Sequence, residues 1–237
     1  MIVIPLAGES SRFKKEGIFE PKWSLTVGGK TILEKSLESV LPSMREFENI
    51  LFIVNTESES TLRSIIDRYE FLNMHVSTLD HSTMGQADSV LQGLKDGDYD
   101  LEDRLVIWCG DSAFEPTALN FRSRSGNWLA TSILEGDQWS FAELVNGEVR
   151  QVTEKLRISN HASIGLYGFN SVREFMELNL MQVLDDYKEM YVAPLYNQLI
   201  KLNKRVDIIE IDGERFLPFG TPQELFETGK KHGWITE

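Results

Sequence analysis

Two hydrophobic periods alternate along the chain. Short apolar runs at residues 2–6, 50–54, 74–79 and 105–109 are near-continuous, as expected of strands buried on both faces of a mostly parallel sheet. Between them the spacing turns helical. Ile32, Leu33, Ser36, Leu37, Val40 and Leu41 share one face that stops before Pro42, and Leu62, Ile65, Ile66 and Tyr69 repeat the pattern behind a cap at Ser58 or Ser60. A third helix is predicted over 86–94, closed by Gly97. Strand alternating with helix predicts right-handed βαβ units and a doubly wound α/β layer.

Past residue 114 the strands shorten. Runs at 128–134, 141–145 and 149–154 read as strands, the last two joined by a tight Asn146-Gly147 turn. Another strand covers 163–170, helical patterns lie around 172–180 and 190–202, a strand follows at 206–211, and Pro222 opens a final helix. No repeat, low-complexity tract or linker interrupts the sequence. The fold class predicted is α/β, a Rossmann-like three-layer sandwich with a mostly parallel central sheet and a small β-rich elaboration, in one domain over 1–237.

Composition narrows the partners. The 37 acidic against 24 basic residues give a net charge of -13, which disfavours a polyanionic nucleic-acid partner and makes any local basic cluster informative. The one cysteine, Cys109, excludes an internal disulfide and reads as a small core residue. His75, His81, His161 and His232 are scattered without metal-ligand spacing. No apolar stretch approaches the roughly 20 residues needed to span a bilayer, and there is no secretory signal, so no membrane partner and a cytoplasmic location are expected.

The first strand runs into Leu6-Ala7-Gly8-Glu9-Ser10-Ser11-Arg12-Phe13, followed by Pro21-Lys22. A Gly/Ser turn at the carboxyl edge of a sheet offers backbone N–H groups to an anion, and Arg12 and Lys22 add two positive charges, so the segment reads as a triphosphate site. Lys14 and Lys15 beside Arg12 read equally as a solvated face. The segment Ser24-Leu25-Thr26-Val27-Gly28-Gly29-Lys30-Thr31 ends like a P-loop but lacks its first glycine, and Gly28-Gly29 is predicted to be a hairpin turn.

The first segment resembles the L-A-G-G-x-G-T-R-L…P-K signature of the sugar-1-phosphate nucleotidyltransferases, with Glu9, Ser10 and Ser11 in place of Gly, Gly and Thr. Further pieces arrive in that family's order: Met84-Gly85-Gln86-Ala87, Gly110-Asp111 after a strand, Glu154-Lys155 before Gly165-Leu166-Tyr167, and Gly220-Thr221-Pro222 opening the last helix. The resemblance implies an enzyme that couples a nucleoside triphosphate to a sugar 1-phosphate with Mg2+, for surface polysaccharide synthesis. The residues at about 1–114 are then the nucleotide-binding half and those at about 115–237 the sugar-phosphate half. Arg12 would serve the leaving pyrophosphate and Lys22 the α-phosphoryl group, Leu6, Ala7, Gly8, Gly85 and Gln86 the nucleotide, Glu154, Lys155 and Gly165 the sugar phosphate, and Asp111 the metal.

Each residue also has a bland reading: a surface salt bridge for Arg12 and Lys22, a turn cap for Asp111, a cross-strand pair for Lys155. Many members of that family carry a second metal-binding aspartate where Pro218 stands. Asp111 with phosphate oxygens and waters, a neighbour such as Glu210 or Asp212, or loss of catalysis are the alternatives. Glu9 should repel phosphates unless it turns outward or pairs with a cation. A phosphocholine-type cytidylyltransferase, with a cage drawn from Trp108, Trp128, Trp139, Tyr167 and Tyr191, and a catalytically silent nucleotide- or sugar-phosphate-binding protein are the competing readings. The sequence leaves a homo-oligomer open.

Overall fold

The apolar run after Met1 forms β1 (Ile2–Pro5), buried throughout because strands flank it on both edges and helices cover both faces. The computed structural model describes residues 1–45, 47–69, 73–116, 119–121 and 124–235. The chain continues through α1 (Ser11–Lys15), a hairpin of β2 (Thr26–Val27) and β3 (Lys30–Thr31), α2 (Ile32–Met44), β4 (Ile50–Asn55), α3 (Glu59–Ile66), β5 (Met74–Leu79), α4 (Gln86–Lys95), β6 (Leu105–Trp108) and β7 (Ser112–Phe114). It then runs through β8 (Asn127–Ile133), β9 (Ser140–Val145), β10 (Glu148–Glu154), β11 (His161–Phe169), α5 (Val172–Met176), α6 (Leu180–Tyr187), α7 (Tyr196–Lys201), β12 (Val206–Ile211), β13 (Phe216–Pro218) and α8 (Pro222–Lys231).

Strands β5, β4, β1 and β6 lie side by side and parallel, and β11 joins antiparallel to β6. The rest of the sheet is built outward from β11 by β9, β10, β8 and β12. Alternate residues of a strand face opposite sides. Ile2 and Ile4 therefore share a core with Leu33 and Leu37 of α2 and Leu62 of α3, while Val3 and Ile53 share the other with Val90 and Leu94 of α4 and Tyr196 of α7. Each fully buried Leu, Ile or Phe contributes roughly 1.5–3 kcal/mol, so these two layers hold the frame. The architecture is the Rossmann-like three-layer α/β sandwich expected from the pattern. Gly28 and Gly29 take positive φ in the β2–β3 turn, as do Asn146 and Gly147 between β9 and β10.

Four local expectations change. Helix α2 passes through Pro42 to Met44, since Met44 is fully buried and its packing offsets the hydrogen bond that proline cannot donate. Strand β5 is an edge strand with a partly exposed face. The helix over 172–180 is two, because Ser171 caps α5 and Asn179 caps α6. The pattern over 190–202 yields only α7 and a preceding 3-10 turn that contains Pro194. A short pair not foreseen, β7 with β13, sets Pro218 opposite Ser112.

The sheet places the site. The chain leaves β1 for β4 on one side and enters β6 on the other, so the carboxyl ends of β1 and β6 bound a crevice at the point where strand order reverses.

Candidate active site

A cleft of about 620 Å³ opens over those strand ends. Leu6, Ala7, Gly8, Arg12, Lys22, Gly85, Gln86, Asp111, Glu154, Lys155 and Gly165 all line it. Segments scattered over more than 150 positions are thus brought to one concavity, from the loop after β1 at one end to β10 and β11 at the other.

At the first end Lys22 Nζ donates to Asp111 Oδ2 at 2.6 Å. The loop between β1 and α1 is pinned from three sides. Trp23 Nε1 donates to Leu6 O (3.1 Å), Asn55 Nδ2 to Ala7 O (3.0 Å), and the backbone N–H of Lys22 to Ser10 Oγ (3.2 Å). Ser10 itself adopts the left-handed conformation, φ 53 and ψ 35, that glycine takes freely. A Cβ on Gly8 would meet nothing within 4 Å, so a ligand can approach that backbone closely. Arg12 is exposed on α1 and forms no ion pair among the described residues, and its positive charge reaches Tyr191 and Glu224. The carboxylate of Glu9 accepts from Ser82 Oγ at 3.0 Å and pairs with neither Arg12 nor a lysine.

The glycine of Met84-Gly85-Gln86-Ala87 is required for a reason the sequence does not disclose. A Cβ there would sit 2.6 Å from Met190 N and 2.8 Å from its O, at φ 138, so the residue makes room for a neighbouring backbone while still lining the cleft. Met190 N donates to Met84 O (2.7 Å) and Ala87 N to Met190 O (2.8 Å), which ties this loop to the far side of the cleft. Cys109, partly buried, lines the cleft floor, and desolvation there drives its thiol pKa upward, which keeps it protonated and unreactive.

On the wall formed by β10 and β11, Lys155 stands at φ 53, a left-handed position that strains a lysine, with its backbone N–H on Trp139 O (2.9 Å). Its Nζ donates to Tyr191 Oη and lies 4.5 Å over the Tyr191 ring. The backbone N–H of Tyr191 donates to Glu189 O (3.0 Å). Glu154 is largely buried, and burial raises its carboxyl pKa despite the opposing hydrogen bond from Ser140 and the charge of Lys155. Gly165 interrupts the β11 register, where a Cβ would lie 2.9 Å from Cys109 Sγ. Of the five aromatics considered for a cage, Trp108 and Trp128 are core residues, and Trp139, Tyr167 and Tyr191 line the cleft.

Residues 2–154 match the model of the MobA-like NTP transferase domain. The chain belongs to this family. It is a nucleotidyltransferase, as the motifs had implied. A nucleoside-diphosphate-sugar pyrophosphorylase from Vibrio cholerae RC9 superposes with a TM-score of 0.87 at 30% identity over 97% of this chain and 100% of that one. The inositol-1-phosphate CTP transferase of T. maritima (TM-score 0.77, 12% identity, 97% and 94% covered) and a UDP-glucose pyrophosphorylase complexed with UDP-glucose (TM-score 0.74, 16% identity, 98% and 97%) share the fold. No curated protein matches the chain.

For a nucleotidyltransferase of this family the donors at the metal position decide whether a divalent ion fits. No cluster of three or more His, Cys, Asp or Glu exists among the described residues, so a cage made by protein alone is absent there. One half-buried carboxylate, Asp111, lining the cleft does suit Mg2+, which keeps waters and takes phosphate oxygens. The two substitutes suggested by sequence lie elsewhere: Glu210 faces His161 at 3.1 Å and Asp212 caps a turn through Glu214 N, and neither lines the cleft. A residue not anticipated does line it. Glu224, third in α8, has its carboxyl pKa raised, first by burial and then by the Asp111 charge. Its signal was present but ambiguous, because Thr221-Pro222-Gln223-Glu224 reads as an ordinary helix-start pattern.

Proposed function

We propose that this enzyme joins a nucleoside triphosphate to a sugar 1-phosphate, giving an NDP-sugar and pyrophosphate, in the cytoplasm and for surface polysaccharide synthesis. A phosphate oxygen of the sugar attacks the α-phosphorus, the bond from α-phosphorus to the bridging oxygen breaks, and pyrophosphate leaves with that electron pair. The reaction needs no protein nucleophile, only alignment of two anions and compensation of developing charge. The half at about 1–114 supplies the nucleotide side and the half at about 115–237 the acceptor side.

The observation that carries this reading is the convergence of Arg12, Lys22, Asp111, Glu154 and Lys155 on a single cleft. Arg12, without an internal partner among the described residues, offers its donor fork to the departing pyrophosphate, and Lys22 neutralises the α-phosphoryl oxygens. Lys155 balances the acceptor phosphate. Asp111, with phosphate oxygens and waters, would hold a divalent cation, which when bound neutralises charge on the triphosphate. The 30% identical pyrophosphorylase of Vibrio cholerae supports a nucleotide-sugar product.

A second reading has one observation in its favour. Trp139 and Tyr191 line the acceptor end beside Glu154 and Glu189, a mixture of aromatic faces and carboxylates that suits a cationic alcohol phosphate such as phosphocholine. Pyrophosphate release, scanned over the nucleoside triphosphates against a panel of sugar 1-phosphates and phosphocholine, separates the two. Turnover confined to sugar 1-phosphates supports the first reading, turnover on phosphocholine alone replaces it with the second, and turnover on neither rejects both.

A further inference from the structure

Pro218 on β13 offers no ligand, yet the space beside Asp111 holds a second acidic oxygen. A Cβ built on Gly220 would lie 3.2 Å from Glu224 Oε2 and 3.5 Å from Asp111 Oδ2, so both oxygens border the small space that this glycine leaves open. The backbone ties the pieces together, since Phe219 N donates to Asp111 O (3.0 Å) and Glu224 N to Thr221 Oγ1 (3.1 Å).

A comparison within the molecule shows that Glu224 is not simply finishing its helix. Thr31 and Glu34 open α2 with the same Thr-x-x-Glu pattern, and there the glutamate reaches back to the Thr31 backbone N–H at 2.8 Å, completing the capping box. At α8 only the Thr221 half of that box is made, and Glu224 instead lines the cleft. It forms no ion pair among the described residues. Lys22 is paired with Asp111 and the Arg12 charge also reaches Glu224. A triphosphate that engages both of these cations would leave the two carboxylates facing its own negative charge, which a divalent cation compensates.

We infer that Glu224 and Asp111 together provide the carboxylates of an oxygen-liganded divalent-cation site for the bound triphosphate, with Glu224 in the first turn of α8 supplying the second ligand. This rests on the nucleotidyltransferase reading of the cleft. A hard cation such as Mg2+ or Mn2+ uses one or two carboxylates plus phosphate oxygens, which matches the donor set.

The test is Mn2+ binding read by electron paramagnetic resonance, alone and with α,β-methylene analogues of each nucleoside triphosphate. The parent should bind Mn2+ more tightly with its preferred analogue, and Glu224→Gln should weaken that by on the order of tenfold or more, with analogue binding in the absence of metal retained. Gly220→Ala, whose new methyl crowds both oxygens, should weaken Mn2+ likewise and guards against a folding defect in the first variant. Mn2+ affinity within about twofold of the parent in both variants would overturn the role of Glu224 and leave the function intact. A parent that binds Mn2+ with none of the analogues would overturn both.

Discussion

Lys22 and Asp111 meet at 2.6 Å, and their pairing is both the simplest fact about the cleft and the one most open to a bland explanation. A solvent-accessible pair, even one half-buried as here, is worth little to stability, about 0–1 kcal/mol, so substitution separates the two roles. Lys22→Ala should lower kcat by roughly ten- to a thousandfold, as removal of one charge partner of a transition state does, with denaturation midpoints shifted little. Asp111→Asn should move the magnesium dependence of turnover to higher concentration. Glycines at the same site make a sharper contrast. Gly8→Ala has open space for its methyl and should fold normally while weakening nucleotide binding, whereas Gly85→Ala collides with the Met190 backbone and should destabilise the fold. Equal midpoints for these two variants would contradict the packing described. Glu154 offers a pH test. Burial raises its carboxyl pKa above the ordinary 4.5, so the folded state holds that proton more tightly and stability is lost as pH climbs through the raised value. Glu154→Gln should therefore raise Tm at pH 7.5, with the gain shrinking toward pH 4. A difference independent of pH would count against it.

Elements differ in how much of themselves the sequence reveals. Strands β1, β4 and β6 are buried on both faces, so their apolar runs leave no alternative period. Pro42 misled because it sits in the last turn of α2, where buried Met44 holds the helix together beyond it. The split between α5 and α6 was hidden because the caps, Ser171 and Asn179, are marked by one residue each. At the site, Arg12, Lys22, Asp111 and Glu154 were legible because chemistry tied to fixed strand ends leaves linear motifs. Glu224 was not, since its pattern is shared with any capped helix and only the direction of its carboxylate distinguishes it. The reason for Gly85 was also invisible, because Met190 approaches it from more than a hundred positions away. The cap at α8 gives a prediction at this scale. Thr221→Ala should cost about 1 kcal/mol, measurable by denaturant unfolding, because Thr221 Oγ1 accepts from Glu224 N at 3.1 Å.

Across the whole molecule the cleft is bounded by both halves of the chain, which the β7–β13 pair and the Met84–Met190 backbone bonds stitch together. A ligand bridging them should stabilise the folded state as a unit. A nucleoside triphosphate with Mg2+ at a hundred times its Kd should raise Tm by roughly 5–10 °C for a chain of this size. No helix among the described residues is long and apolar enough to cross a membrane. With a net charge of -13, attraction for a polyanion must come from the local cations of the cleft. The most direct measurement is a crystal structure with an α,β-methylene nucleoside triphosphate analogue and Mg2+. Its phosphates should lie within hydrogen-bonding reach, about 3.5 Å or less, of both the Arg12 guanidinium and Lys22 Nζ. A triphosphate bound away from these two groups, with Lys22 still closed on Asp111, would contradict the assignment.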